Sequence, residues 1–194
     1  MMNERPTRYS LLIETDVPVV RAQLEKNHQH FYHFTLSSRI DSIKNLGLDP
    51  GYESTDSLYG GRDREPPKAM RFCTKSNLNL GFSVANQRNQ IFNQNTSVWH
   101  PSQSVQVVLL RTKATSLLSR SFGLDHSYDI ESRSAEELLC ENKRTLLPNE
   151  FVEIINRHGS ISCYETIPPG DLEICRELNN FPDYSKCIFY PLLG

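Results

Sequence analysis

Hydrophobic positions change period along the chain, and each change predicts an element. In "TDVPVVRAQLEKN", Val20 and Leu24 lie four apart, on one face of a helix; Thr15 or Asp16 stands where a cap is needed and Pro18 fits the first turn. "HFYHF" has too many aromatics in a row for a surface helix and predicts a short buried strand. Ser37 or Ser38 then opens a second helix. Ile40, Ile43 and Leu46 make its apolar face and Gly47 ends it, with Leu48 and Pro50 closing the turn. Residues 51–68 are polar and rich in Gly, Pro and charge, a loop longer than a connection requires.

Beyond that loop, "AMRFCT" predicts a strand. "KSNLNLGFSVANQRNQIFNQ" predicts a helix with Leu80, Val84 and Ile91 inside. "SVQVVLLRT" is the clearest strand, apolar on both faces. "SRSAEELLCENKR" predicts a short helix, capped at Ser132 or Ser134, with acidic residues in its first turn. The segments "NEFVEII", "RHGS" and "ISCYETI" predict a hairpin with a glycine turn, followed by "PPGDLEICREL" as a proline stop and one more strand or short helix. Helices come early and strands late without β-α-β alternation, which predicts the α+β class. The division expected is a helical extension over residues 1–30 and one domain over 31–194.

Composition narrows the classes. With 38% hydrophobic and 23% charged residues, the 194-residue chain has the balance of a globular domain and not of a disordered one. A net charge of -2 argues against a strong general nucleic-acid binder. Five cysteines, an odd number without CxxC spacing, predict free thiols in a reducing compartment and no zinc site. No apolar run reaches the roughly 20 residues of a membrane span, and the N-terminus lacks the apolar core of a secretory signal. The location expected is therefore cytosolic, in the cell that makes the protein or in a target cell.

The histidine in "FYHFTLSSRIDSIKNLGLDP" poses the functional question. Read from its residue type alone, His33 is a half-buried histidine bonded to backbone. The pattern around it resembles the ADP-ribosyltransferase superfamily. In that superfamily an H-x-T strand is followed by a helix of the form I-x-x-I-x-x-x-G-L-x-P. Here the matching residues are His33, Thr35, Ile40, Ile43, Gly47, Leu48 and Pro50. "KAMRFCTKSNLNLGFSVA" resembles the family's second element, and "NEFVEII…ISCYETIPPGDLEI" its third, a late strand with the catalytic glutamate and an I-P-P turn. By the first motif the nearest relatives resemble the DNA ADP-ribosylating toxins, the RNA 2'-phosphotransferases and bacterial effector transferases.

The resemblance implies two small, mostly antiparallel sheets forming an NAD cleft. It implies cleavage of the nicotinamide–ribose bond and transfer of ADP-ribose to a macromolecule, a protein before a nucleic acid, by a toxin or effector using NAD and no metal. The transition state would resemble an oxocarbenium ion, which calls for an NAD clamp and a nearby carboxylate. The implied roles are His33 on a ribose hydroxyl, the Phe34 main chain on the nicotinamide amide, and Thr35 at the adenine-side ribose. Tyr59, Phe72 or Phe82 would stack on nicotinamide. For Phe72 and Phe82, core packing is the alternative. Arg71 would meet the pyrophosphate, or lie at the surface. For the carboxylate, Glu150 ranks first, Glu165 second and Glu153 third. Glu150 and Glu153, three apart on an expected strand, would face opposite ways. Against Glu165, the earlier member of the arginine-modifying branch's E-x-E pair is here Cys163. Two other functions remain open. An RNA 2'-phosphotransferase would draw on Arg62, Arg64, Arg71 and Arg88. An inactive module would bind ADP-ribose or a protein.

Overall fold

The computed structural model describes residues 14–50, 69–86, 106–124, 146–175 and 184–194. Seven strands form the centre: β1 (His30–Leu36), β2 (Met70–Cys73), β3 (Val107–Lys113), β4 (Phe122–Leu124), β5 (Ser160–Cys163), β6 (Leu172–Cys175) and β7 (Phe189–Pro191). The helices are α1 (Val17–Asn27), α2 (Ile40–Leu46), α3 over residues 78–86, α4 (Ala114–Leu118) and α5 (Pro148–His158). The α+β class expected from the sequence holds.

The strands make one antiparallel sheet in the order β4-β5-β2-β1-β3-β6-β7, and this corrects the expectation of two sheets. The join in its middle is narrow. β1 and β3 pair over seven positions, from His30↔Lys113 to Leu36↔Val107. β2 and β5 pair over four, from Met70↔Cys163 to Cys73↔Ser160. β1 and β2, the neighbours that hold the two parts together, share the single pair Tyr32↔Cys73. In continued register Phe34 would stand opposite Arg71, but the ladder has already opened there.

Alternation along paired strands sorts side chains onto two faces. The first carries Phe31, His33, Thr35, Phe72, Leu110, Ile161 and Cys163. The larger core lies here, where Val20 and Leu24 of α1, Leu117 and Leu118 of α4, and Phe151 and Ile155 of α5 meet the sheet. α1 behaves as its pattern predicts, with Val20 and Leu24 fully buried. Asp16 occupies the N-cap position but makes no side-chain cap bond. The second face carries Tyr32, Phe34, Cys73, Leu109, Arg111 and Cys175. Leu78, Tyr184 and Phe189 cover it.

Three local expectations fail. Leu46 is exposed, so Ile43 and the half-buried Ile40 carry the inner face of α2. Leu80 is exposed and Leu78 is the buried residue of α3. The largest correction is "NEFVEII", expected as a strand and found inside α5. Pro148 fits the first turn, and the Glu150 carboxylate accepts the Leu147 N–H at 2.9 Å, as the third residue of a helix does for its cap. Phe151, Val152 and Ile155 make the inward stripe. Gly159 closes the helix at φ +66°, where an alanine Cβ would come within 2.6 Å of Asn77 Cβ. The run of Val152, Ile154 and Ile155 imitates a strand by residue type, but the helical period decides. The segments 51–68 and "SRSAEELLCENKR" and the residue Ile91 lie outside the described residues.

Candidate functional site

β1 places His33 beside the narrow join. Its Nδ1 lies 2.8 Å from the carbonyl oxygen of Arg71. A carbonyl only accepts, so Nδ1 carries the proton and donates. The bond joins β1 to β2 where the backbone ladder has opened. Whichever form Nε2 takes, it suits a hydroxyl, which both donates and accepts. The ring tilts at 47° to Phe72 with 5.4 Å between centroids. The residue-type reading of His33, half-buried and bonded to backbone, describes this geometry.

The other expected residues divide by position. Thr35 is buried on the same face as His33, two residues along the strand. Phe72 is 1% exposed, a core ring with no open face for a ligand in this conformation. Phe34 lies on the opposite face, edge-on to Phe82 and Tyr184 at centroid distances of 6.0 and 6.4 Å. Phe82, on α3, therefore packs against Phe34 of the sheet. Arg71 is half-buried and, by alternation with Phe72, sits on the face opposite His33. Tyr59, Arg62, Arg64 and Arg88 lie outside the described residues.

The carboxylates also separate. Glu150 lies at the N-terminus of α5, with its carboxylate turned to that helix's own N–H. Glu153 is three residues further along the same helix, so the two are neighbours and not on opposite sides as a strand would set them. Glu165 alone follows a strand, two residues after β5. Its Oε1 accepts the Ser121 N–H at 2.8 Å, and its carbonyl accepts the Cys163 thiol at 3.3 Å.

The segment that holds Glu165 is strongly fixed. Arg120 donates from Nε to the Thr166 carbonyl at 3.0 Å and from a terminal nitrogen to Asp171 Oδ2 at 2.9 Å. It also bonds the Ser116 carbonyl and hydroxyl. Ser116 donates to the same Asp171 oxygen at 2.7 Å. On its other side the segment meets the first motif. Leu48 N–H donates to the Ile167 carbonyl and Ile167 N–H donates to the Leu48 carbonyl, both at 2.9 Å. The "GLDP" turn and the "TIPP" turn, 119 positions apart between Leu48 and Ile167, thus form one reciprocal bridge.

Neither Arg120 nor this bridge was among the expected site residues. The proline pair signalled a turn, but nothing in the sequence states which arginine ties it down. Arg120→Met is expected to lower unfolding free energy by about 2 kcal/mol, because its charged hydrogen bonds have no replacement. Urea unfolding checks it. Hydrogen bonding from Ser116, then Arg120, holds the Asp171 carboxyl below its ordinary value of 3.8. A depressed folded value stabilises the protein above 3.8, and the contribution is lost as pH falls through the folded value. Asp171→Asn should remove it at neutral pH and flatten this part of the acid limb, read by unfolding from pH 7 downwards.

The four described cysteines, Cys73, Cys163, Cys175 and Cys187, are free thiols. Among the described residues no group of three or more His, Cys, Asp or Glu is placed to hold a metal. None of the described helices is long and apolar enough to cross a membrane. Comparison with protein-family models, with curated proteins and with solved structures returns no match for this chain.

Proposed function

We propose that the chain is an NAD-dependent ADP-ribosyltransferase, with His33 on a ribose hydroxyl of NAD and Glu165 as the carboxylate near the reacting carbon. The observation that carries the reading is the contact between Gly47–Leu48 and Ile167–Pro168. The first and third stretches quoted for the family resemblance are remote in sequence and meet in space. His33 adds to it, since it stands where the sheet nearly parts and is held there by its bond to the Arg71 carbonyl.

Glu165 replaces Glu150 at the head of the ranking for a geometric reason. Glu150 heads the ranking only if it opens a late strand, and that segment is a helix. Glu165 follows β5, the strand paired with β2, and β2 accepts the His33 bond. A charge held in a preset position beside a developing cation is the kind of contact that accelerates glycosidic cleavage. The acceptor is proposed to be a macromolecule, a protein before a nucleic acid, and the enzyme a toxin or effector working in a cytosol.

Incubation of the purified chain with adenylate-labelled NAD and a cell lysate tests this directly. Label on protein is the expected result. Label confined to nucleic acid keeps the chemistry and overturns the choice of acceptor. NAD consumption that requires 2'-phosphorylated RNA points to the phosphotransferase. No consumption with any acceptor favours a module that binds ADP-ribose or a protein without catalysis.

A further inference from the structure

The sheet face opposite His33 holds a cavity of about 210 Å³. A cavity of about 150 Å³ accommodates benzene, so by volume this one, with both polar and apolar lining, has room for a single aromatic ring with a small polar substituent. Leu78, Leu109 and Phe189 supply apolar wall. Arg111 and Lys75 supply positive charge. The Arg111 side chain is fixed from two sides. Its Nε donates to Glu173, and its guanidinium carbon lies 4.0 Å from the centroid of the Phe189 ring. Among the described residues Glu173 offsets one of the two cations, which leaves an excess of one positive charge at the cavity. Tyr184 already donates its hydroxyl hydrogen to the Leu78 carbonyl at 3.2 Å. Tyr32, next to His33 in the chain, forms part of the wall.

We propose that this cavity, where Arg111 and Lys75 face the apolar wall of Leu78, Leu109 and Phe189, binds a monocyclic aromatic carboxylate at a site separate from His33. The ring lies on the apolar wall and the carboxylate points to the two cations. The guanidinium has five N–H donors; its Nε–H is engaged with Glu173 and the side chain also bonds Tyr32, so a carboxylate would meet the remaining donors on the terminal nitrogens. The size excludes a dinucleotide, which needs a pocket several times larger.

Fluorine NMR of 4-fluorobenzoate with the full chain tests it. The expected result is saturable binding with a Kd of about 1 mM, a reasonable affinity for a fragment of this size. 4-Fluorobenzamide has the same shape and no charge, and should bind about tenfold more weakly. Inorganic phosphate has charge and no ring, and should not displace fluorobenzoate at equal concentration. Lys75→Gln, at an exposed position, should weaken binding about two- to fivefold. Arg111→Gln should weaken it more than tenfold. Should Arg111→Gln fail to fold, Lys75→Gln and the ligand pair still decide the matter.

Cys187 lines the cavity and reports the location. Burial raises the Cys73 thiol to about 12 and also raises that of Cys163, so neither competes for an alkylating reagent near neutral pH. Saturating fluorobenzoate should slow alkylation of Cys187 in a peptide map about fivefold or more. His33→Ala should bind fluorobenzoate as the parent does, whatever becomes of NAD. Equal binding of the amide and the acid, displacement by phosphate alone, unprotected Cys187, loss of binding in His33→Ala, or no saturation up to about 10 mM each overturns the proposal.

Discussion

Gly47→Ala is expected to cost about 3 kcal/mol or more of stability, the largest effect of any single methyl group at the motif turns. Gly47 has φ +83° and ψ -176°, a backbone region open essentially to glycine alone and worth about 1–3 kcal/mol of strain for other residues. The added Cβ would also run into the Ile167 carbonyl oxygen and lie within 3.2 Å of the Ile167 carbonyl carbon and Pro168 Cα. These are backbone atoms of the bridge from Leu48 to Ile167, so no rotamer change relieves the clash. For a chain of this length the melting temperature should fall by roughly 6–12 °C. If the two motif turns form one catalytic unit, activity should fall further than stability explains. Assay well below the melting temperature separates the two losses. Retention of the parent melting temperature would show that the bridge is not formed.

Glu165→Gln is expected to lower transfer about 100- to 1000-fold, or roughly 3–4 kcal/mol in the barrier. Glutamine keeps the size and an oxygen that can accept the Ser121 N–H, so the fold should hold. What disappears is the negative charge that would face an oxocarbenium-like carbon. The bound ground state has less positive charge there, so NAD affinity should change far less than rate. Glu150→Gln provides the contrast. Its carboxylate serves the first turn of α5, and losing the charge there costs about 0.3–1 kcal/mol of helix stability with transfer nearly unchanged. Rate measurements on both variants, with NAD affinity measured in parallel, decide between them. A large loss in Glu150→Gln with normal transfer by Glu165→Gln would reverse the assignment.

Much of the fold was legible because it rests on local rules. The four-residue spacing of Val20 and Leu24 made α1 readable. The β-branched, apolar run from Val107 to Leu110 made β3 readable, and a strand buried on both faces belongs in the middle of a sheet. Gly47 was readable as a stop. What failed depended on competition between rules. Val152, Ile154 and Ile155 favour a strand by propensity, yet Pro148, Glu150 and Gly159 together terminate a helix at both ends. Capping, and not residue type, decides the state of this segment.

The site was less legible because it depends on register. Phe72 and Arg71 are adjacent in sequence, yet alternation sends them to opposite faces, and only the Tyr32↔Cys73 pair fixes which face His33 shares. The clamp made by Arg120 on Thr166 and Asp171 joins residues 46 and 51 positions apart, a pairing no local pattern carries.

The most direct measurement for the central claim is the NAD-induced shift in melting temperature, compared between the parent chain and His33→Ala. At about 100 times its Kd, NAD should add about 2.7 kcal/mol to the parent, and a ligand that binds elsewhere would not notice the substitution. His33 sits half-buried beside Phe72, so the variant alone should lose some stability, and the comparison uses each protein's own ligand-free value. Loss of most of the NAD shift in His33→Ala, with Glu165→Gln keeping it, is the predicted result. An unchanged shift in His33→Ala would contradict the account and leave His33 as a residue that closes the join between β1 and β2.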